Sequence, residues 1–157
     1  MNLALHHTNF IMSKLLVICR HGKYDPGFEV LNEEGIRQVK MMSGSLSVFF
    51  DDTVKICHSN GPRSTQSAKI ACEFFGERAV YSGKIAAMNP TDTLRDKVGN
   101  VIYFTSGEQM NEILPDLFSR TAFCCPDYRA TKGKVYAEAV EIMNSDEVSH
   151  RHSFEIY

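Results

Sequence analysis

Leu15 to Cys19 is a continuous apolar run, LLVIC, that stops abruptly at Arg20-His21-Gly22. A short run without polar alternation suits a strand buried on both faces, as in the middle of a parallel sheet. Val101 to Thr105 (VIYFT) has the same character, and Thr53 to Cys57 (TVKIC) is a further strand. A sheet buried on both faces needs helices on both sides of it.

The helices are legible between the strands. Asn32 is placed to cap one, Glu33 and Glu34 suit the positive end of its dipole, and Ile36, Val39, Met42 and Leu46 recur at helical spacing. His58 to Gly61 reads as a tight polar loop, and Pro62 opens a helix that runs to about Phe75, with Gly76 past its end. Met110, Ile113, Leu114, Leu117 and Phe118 mark a third, amphipathic helix, with Pro115 a candidate kink. Ala79 to Tyr81 reads as a short strand, and Ser82 to Asn100 yields no clear element. Phe123 to Gly133 is loop-like, and Val135 to Ile142 is ambiguous between helix and strand. Asn144-Ser145-Asp146 signals a turn, after which Val148, His150, His152, Phe154 and Ile156 alternate onto one face. A closing hairpin is expected. The order of elements predicts an α/β fold, a three-layer α/β/α sandwich around a mostly parallel sheet. Residues 12–157 are expected to form a single domain, preceded by a loosely ordered extension at 1–11 with no catalytic role.

Charge and cysteine content bound the function. Of 157 residues, 43% are hydrophobic and 23% charged, the balance of a soluble globular chain. The formal net charge of −2 gives no blanket attraction to nucleic acid or to an anionic membrane, and neither is expected as a partner. Cys19, Cys57, Cys72, Cys124 and Cys125 are an odd, scattered set without zinc-ligand spacing. Reduced thiols in a cytoplasmic protein are the simpler reading, and neither metal nor cofactor is expected. No apolar run reaches the length of a membrane span.

In open α/β sheets, ligands bind at the carboxyl ends of strands. Three such ends carry chemistry here: Cys19-Arg20-His21-Gly22, His58-Ser59-Asn60-Gly61-Pro62-Arg63, and Thr105-Ser106-Gly107. Two arginines, a histidine and helix N-termini on one rim describe a phosphate site, because the arginine fork grips phosphate oxygens in pairs and stays charged. Arg63, in a helix's first turn, is not favoured by the dipole and calls for an anion to offset it.

Three segments, LLVICRHG (15–22), LNEEGIRQ (31–38) and HSNGPRSTQSA (58–68), resemble the histidine phosphatase (phosphoglycerate mutase-like) superfamily, whose size here is closest to the short phosphohistidine phosphatase branch. The match covers residues 14–76 by motif and the remainder by element order. The resemblance implies that His21 attacks phosphorus and becomes phosphohistidine, which water then hydrolyses. Arg20 and Arg63 would hold the phosphoryl oxygens, with Gly22, Ser59, Asn60, Ser106 and Gly107 completing substrate binding. The expected substrate is a phosphorylated small molecule or a phosphoprotein. The chain has no room for the insertions that cap the substrate in mutase-type members, which favours dephosphorylation over mutation.

The chain also departs from the pattern. Ser106 stands where the family keeps a second histidine, and no histidine lies between His58 and His150. Losing one such donor costs about 10²–10³ in rate, by analogy with single oxyanion donors. Asp92 and Asp96 lie in the right part of the chain for a general acid, and Lys23 stands where many short members carry an acidic residue. A catalytically degenerate phosphate-binding or regulatory module is therefore one alternative. A second alternative is a cysteine phosphatase, because Cys57 to Ser64 satisfies Cys-x5-Arg-Ser and Asp25 is available as its acid. His150 and His152, on a terminal hairpin, are read as structural, Met110 to Phe118 as core, and Cys124-Cys125 as incidental.

Overall fold

A computed structural model describes residues 13–86, 88–118, 134–143 and 147–156. The N-terminal extension, the Cys124-Cys125 pair, the loop at 123–133 and the 144–146 turn lie outside the described residues. Six strands, β1 (Ser13–Arg20), β2 (Val54–His58), β3 (Ala79–Lys84), β4 (Val101–Thr105), β5 (Val135–Met143) and β6 (Glu147–Ile156), form one sheet in the order β3-β2-β4-β1-β5-β6. The pairings β3-β2, β2-β4 and β4-β1 are parallel, and β1-β5 and β5-β6 are antiparallel. Between the strands run α1 (Glu33–Ser47), α2 (Pro62–Phe75), a short 3₁₀ turn at Gly76–Arg78, α3 (Thr91–Asp96) and α4 (Gly107–Phe118).

The apolar runs are buried on both sides, as their composition requires. In β1, Val17 and Cys19 pack against Val39, Met42 and Leu46 of α1 and Ala68, Ala71 and Phe75 of α2. Leu16 and Ile18 face the opposite core, built with Leu94 of α3 and Met110, Ile113, Leu114 and Leu117 of α4. β4 divides likewise, Ile102 and Phe104 to one side and Val101 and Tyr103 to the other. Two helical layers thus flank the sheet, and the predicted three-layer sandwich is observed.

Four details sharpen or change the sequence reading. β3 extends to Lys84, and α3 occupies part of the stretch that carried no legible signal. Val135–Met143 is strand, which settles the helix-or-strand ambiguity. Val148 to Ile156 does not present one face: the β5–β6 register shifts, with Ala139 opposite His152 but Val140 opposite His150. Arg151 is the extra residue of a bulge, and each bulge inverts the alternation beyond it. Val148 therefore joins the α4-side core, while Phe154 and Ile156 pack on the α1 side.

Candidate active site

The rim at the C-terminal ends of β1, β2 and β4 gathers the residues that the motifs single out. Arg20, His21, Gly22, Arg63, Ser106 and Gly107 line a cavity of about 650 Å³. His21, Arg63 and Ser106 also line an adjoining cavity of about 270 Å³, together with Ser59 and Asn60. All eight residues read from sequence as binding or catalytic therefore meet around His21.

The His21 loop is fixed by backbone bonds to side chains of the other motifs. The His21 amide donates to the Thr105 carbonyl at 3.0 Å, which ties the end of β1 to the end of β4. The Gly22 amide donates to Ser67 Oγ (3.1 Å), the Lys23 amide to Gln38 Oε1 (3.0 Å), and the Leu31 amide to Gln66 Oε1 (2.7 Å). Ser67 and Gln38 are buried, so these bonds satisfy groups that water does not reach. The two motif glycines are steric necessities. A Cβ on Gly22 would lie 2.5 Å from the Gly35 carbonyl oxygen, and one on Gly35 would lie 2.0 Å from the Lys23 carbonyl oxygen. Asn32 caps α1 as expected, its side chain accepting from the Gly35 amide at 2.8 Å.

His21 is almost fully buried. Its Nδ1 donates to the Gly22 carbonyl at 2.8 Å, which assigns the proton to Nδ1 and leaves Nε2 without a partner among the described residues. Burial pushes the imidazole below its ordinary value; the Gly22 carbonyl opposes the shift, and the charges of Arg20 and Arg63 add to it. A neutral ring with a free lone pair on Nε2 is a nucleophile. Arg20 Nη1 donates to the Lys134 carbonyl at 3.2 Å. The Arg63 guanidinium donates to the Phe28 carbonyl (2.6 Å from Nη2) and lies 3.5 Å over the Tyr24 ring. The Tyr24 ring is in turn 5.7 Å from that of His21. Protein groups thus offset part of the charge at Arg63 that the sequence reading assigned to an anion alone.

Ser106 lines both cavities, but its Oγ accepts the Gln109 amide at 3.2 Å and so caps α4. Asp92 and Asp96, the sequence candidates for general acid, line neither cavity. Asp96 acts electrostatically on Lys14, at the opposite end of β1 and about 20 Å of strand from Arg20. Asp25 is held by Asn32 Nδ2 at 3.0 Å. Cys57 is enclosed in the α4-side core, its Sγ against the Ile102 carbonyl (3.6 Å), and burial pushes the thiol up to about 12. A thiol in that position is neither ionised nor at a helix N-terminus, so the cysteine-phosphatase alternative is corrected. His150 bonds Glu138 at 3.1 Å and His152 meets Phe154 edge-on, both histidines lying on the edge strand β6 in structural roles.

Sequence reasoning missed Tyr24, Glu108, Asn111 and Lys134, which with Lys23 and Pro26 complete the larger cavity. Glu108 carried a usable signal, being the first acidic residue after the third strand end. Lys134 carried none, since only the antiparallel return of β5 brings it to the rim. Among the described residues, no group of three His, Cys, Asp or Glu side chains is arranged to hold a metal, and no helix is long and apolar enough to cross a membrane.

No family model and no curated protein matches the sequence. Solved structures do match in fold. The protein histidine phosphatase SixA, solved with tungstate, superposes with a TM-score of 0.67 at 13% identity, over 88% of this chain and 95% of its own. A phosphoglycerate mutase from Plasmodium falciparum gives 0.64 at 17% identity, over 90% of each chain. A putative phosphohistidine phosphatase SixA from Agrobacterium tumefaciens gives 0.57 at 15%, over 90% and 97%. The chain therefore has the fold of the phosphoglycerate mutase-like histidine phosphatases.

Proposed function

We propose that the protein is a phosphatase that removes a phosphoryl group from a phosphomonoester or a phosphohistidine through a covalent intermediate on His21. The observation that carries this reading is the state of that imidazole: neutral by burial, its Nδ1 proton committed to Gly22, its Nε2 unpartnered, between two arginines. Nε2 attacks phosphorus, the ester oxygen or imidazole nitrogen leaves, and water then displaces phosphate from His21. Arg20 and Arg63 bind the phosphoryl oxygens and neutralise charge that grows in the transition state. Ser59, Asn60, Gly107 and the Ser106 hydroxyl, which line the two cavities, supply neutral donors to the same oxygens. The substrate class follows that of the SixA neighbours, a phosphohistidine protein, or a small phosphomonoester that fits 650 Å³. Free buried thiols at Cys19 and Cys57 suit the cytoplasm.

One observation favours a second reading. Ser106, which the sequence resemblance puts where the family keeps a second histidine, uses its hydroxyl as a helix cap. A site so altered would bind phosphate without turning it over. Hydrolysis of 4-nitrophenyl phosphate by the wild type, by His21→Ala and by Cys57→Ser, with vanadate as inhibitor, separates the readings. Activity that survives Cys57→Ser and vanishes in His21→Ala is the expected result. Vanadate raising the melting temperature of an inactive wild type would establish the binding module instead.

A further inference from the structure

Phosphoryl transfer to and from His21 moves protons as well as phosphorus. An ester oxygen leaves well only if protonated, and the water that releases His21 must lose a proton. The residues expected to do this do not reach the site: Asp92 and Asp96 line neither cavity, and Ser106 rather than a histidine stands directly after β4. Among the described residues, His58 is taken up by Ser59, Thr65 and Tyr81, and His150 by Glu138.

Among the described residues, one carboxylate does reach it. Glu108 lines the larger cavity with Arg20, His21 and Arg63. It stands three residues after Thr105, whose carbonyl accepts the His21 amide, so the chain that carries Glu108 is bonded directly to the nucleophile's backbone. It is exposed, and its side chain makes no hydrogen bond or ion pair among the described residues. A carboxylate among arginines that collect anions weakens phosphate binding by repulsion, so simple phosphate capture gives no reason for it. A role in moving the proton during phosphoryl transfer accounts for a carboxyl at this place in the cavity.

We infer that Glu108 is the general acid and base of the His21 reaction, an inference that rests on the phosphatase reading. In the first half-reaction, His21 Nε2 forms the bond to phosphorus while the bond from phosphorus to the ester oxygen breaks. That oxygen takes the Glu108 proton and departs as the alcohol. In the second, water attacks the phosphohistidine and gives one proton to the Glu108 carboxylate. The bond from phosphorus to Nε2 breaks, its electron pair returns to the ring, and inorganic phosphate leaves with Glu108 protonated again.

The ordinary role of a glutamate in the first turn of a helix is to favour the dipole, and the test must separate the two. Glu108→Gln is compared with Glu112→Gln, which removes the same charge from the same helix away from the cavity. The substrates are 4-nitrophenyl phosphate, whose leaving group needs no proton, and glycerol 2-phosphate, whose alkoxide does. Expected for Glu108→Gln is a burst of about one nitrophenol per enzyme followed by slow turnover, and a fall in glycerol 2-phosphate hydrolysis of about 10²–10⁴-fold. Glu112→Gln should match the wild type on both. Equal losses on the two substrates without a burst, or no loss on either, would overturn the assignment. A wild type that never releases nitrophenol, or that releases it undiminished in His21→Ala, would instead remove the phosphatase reading, and the role of Glu108 would fall with it.

Discussion

Gly35→Ala is a substitution whose sign separates tertiary packing from local propensity. Gly35 lies in the first turn of α1, and alanine is worth about 1 kcal/mol more than glycine in a helix. On propensity alone the variant is stabilised. The structure reverses that sign, because the new Cβ would sit 2.0 Å from the Lys23 carbonyl oxygen and 2.6 Å from its amide nitrogen. Both neighbours are backbone, and the Lys23 carbonyl already accepts the Asn32 amide at 3.1 Å. Relief requires the start of α1 and the His21 loop to part by about 1 Å, against an overpacking cost of about 1–3 kcal/mol. The net expectation is a loss of up to about 2 kcal/mol after the helical gain. Activity should suffer more than stability, since a displacement of about 1 Å at a reacting group costs about 10²-fold. Gly44→Ala is the internal control: it lies in the same helix, and its Cβ meets only the tip of Phe74 at 3.6 Å. Urea unfolding followed by circular dichroism, with phosphatase assays on the same samples, reads both effects. A Gly35→Ala protein that unfolds at the same or higher urea concentration than Gly44→Ala would refute the reasoning.

Further expectations concern charge and capping. Arg20→Ala should weaken vanadate binding by about 10–100-fold, the worth of a hydrogen bond to a charged group, as read by calorimetry; unchanged affinity would remove Arg20 from the phosphate site. Because burial lowers the His21 pKa, the acid limb of kcat/KM should fall below 6.5, and a midpoint at or above that value would contradict a buried neutral nucleophile. The same shift has a stability sign: between the folded pKa and 6.5 the unfolded chain binds more protons, so stability should fall as the pH drops through that window, and His21→Asn should flatten the slope. Ser106→Ala removes the α4 cap and should cost about 1 kcal/mol in urea unfolding; no change would mean that the hydroxyl does not cap the helix.

Much of this fold is written in local composition. LLVIC and VIYFT are strands buried on both faces because they have no polar alternation, and each does divide its side chains between two cores. The helix that begins at Pro62 and the Asn32 cap follow from chain stereochemistry and are found where expected. What was not legible depends on partners elsewhere in the chain. The face assignment of Val148 to Ile156 failed because one inserted residue, Arg151, inverts the alternation, and a bulge is a property of strand pairing rather than of one strand. The short α3 carries too little periodicity to stand out from the loop around it. At the site, the three motifs located His21, Arg20 and Arg63, but their restraints were invisible: nothing in a linear reading says that Gln38 accepts from Lys23 or that Gly22 presses on Gly35. Asp96 illustrates the converse, near in sequence to the right region and a sheet's length away in space.

The central claim is that His21 Nε2 carries the phosphoryl group. Brief incubation with a ³²P-labelled aryl phosphate, an alkaline quench and peptide mapping test this directly. The account predicts an acid-labile, base-stable label on the peptide containing His21 and none in His21→Asn. An unlabelled wild type that nevertheless hydrolyses the substrate, or a label that persists in His21→Asn, would contradict it.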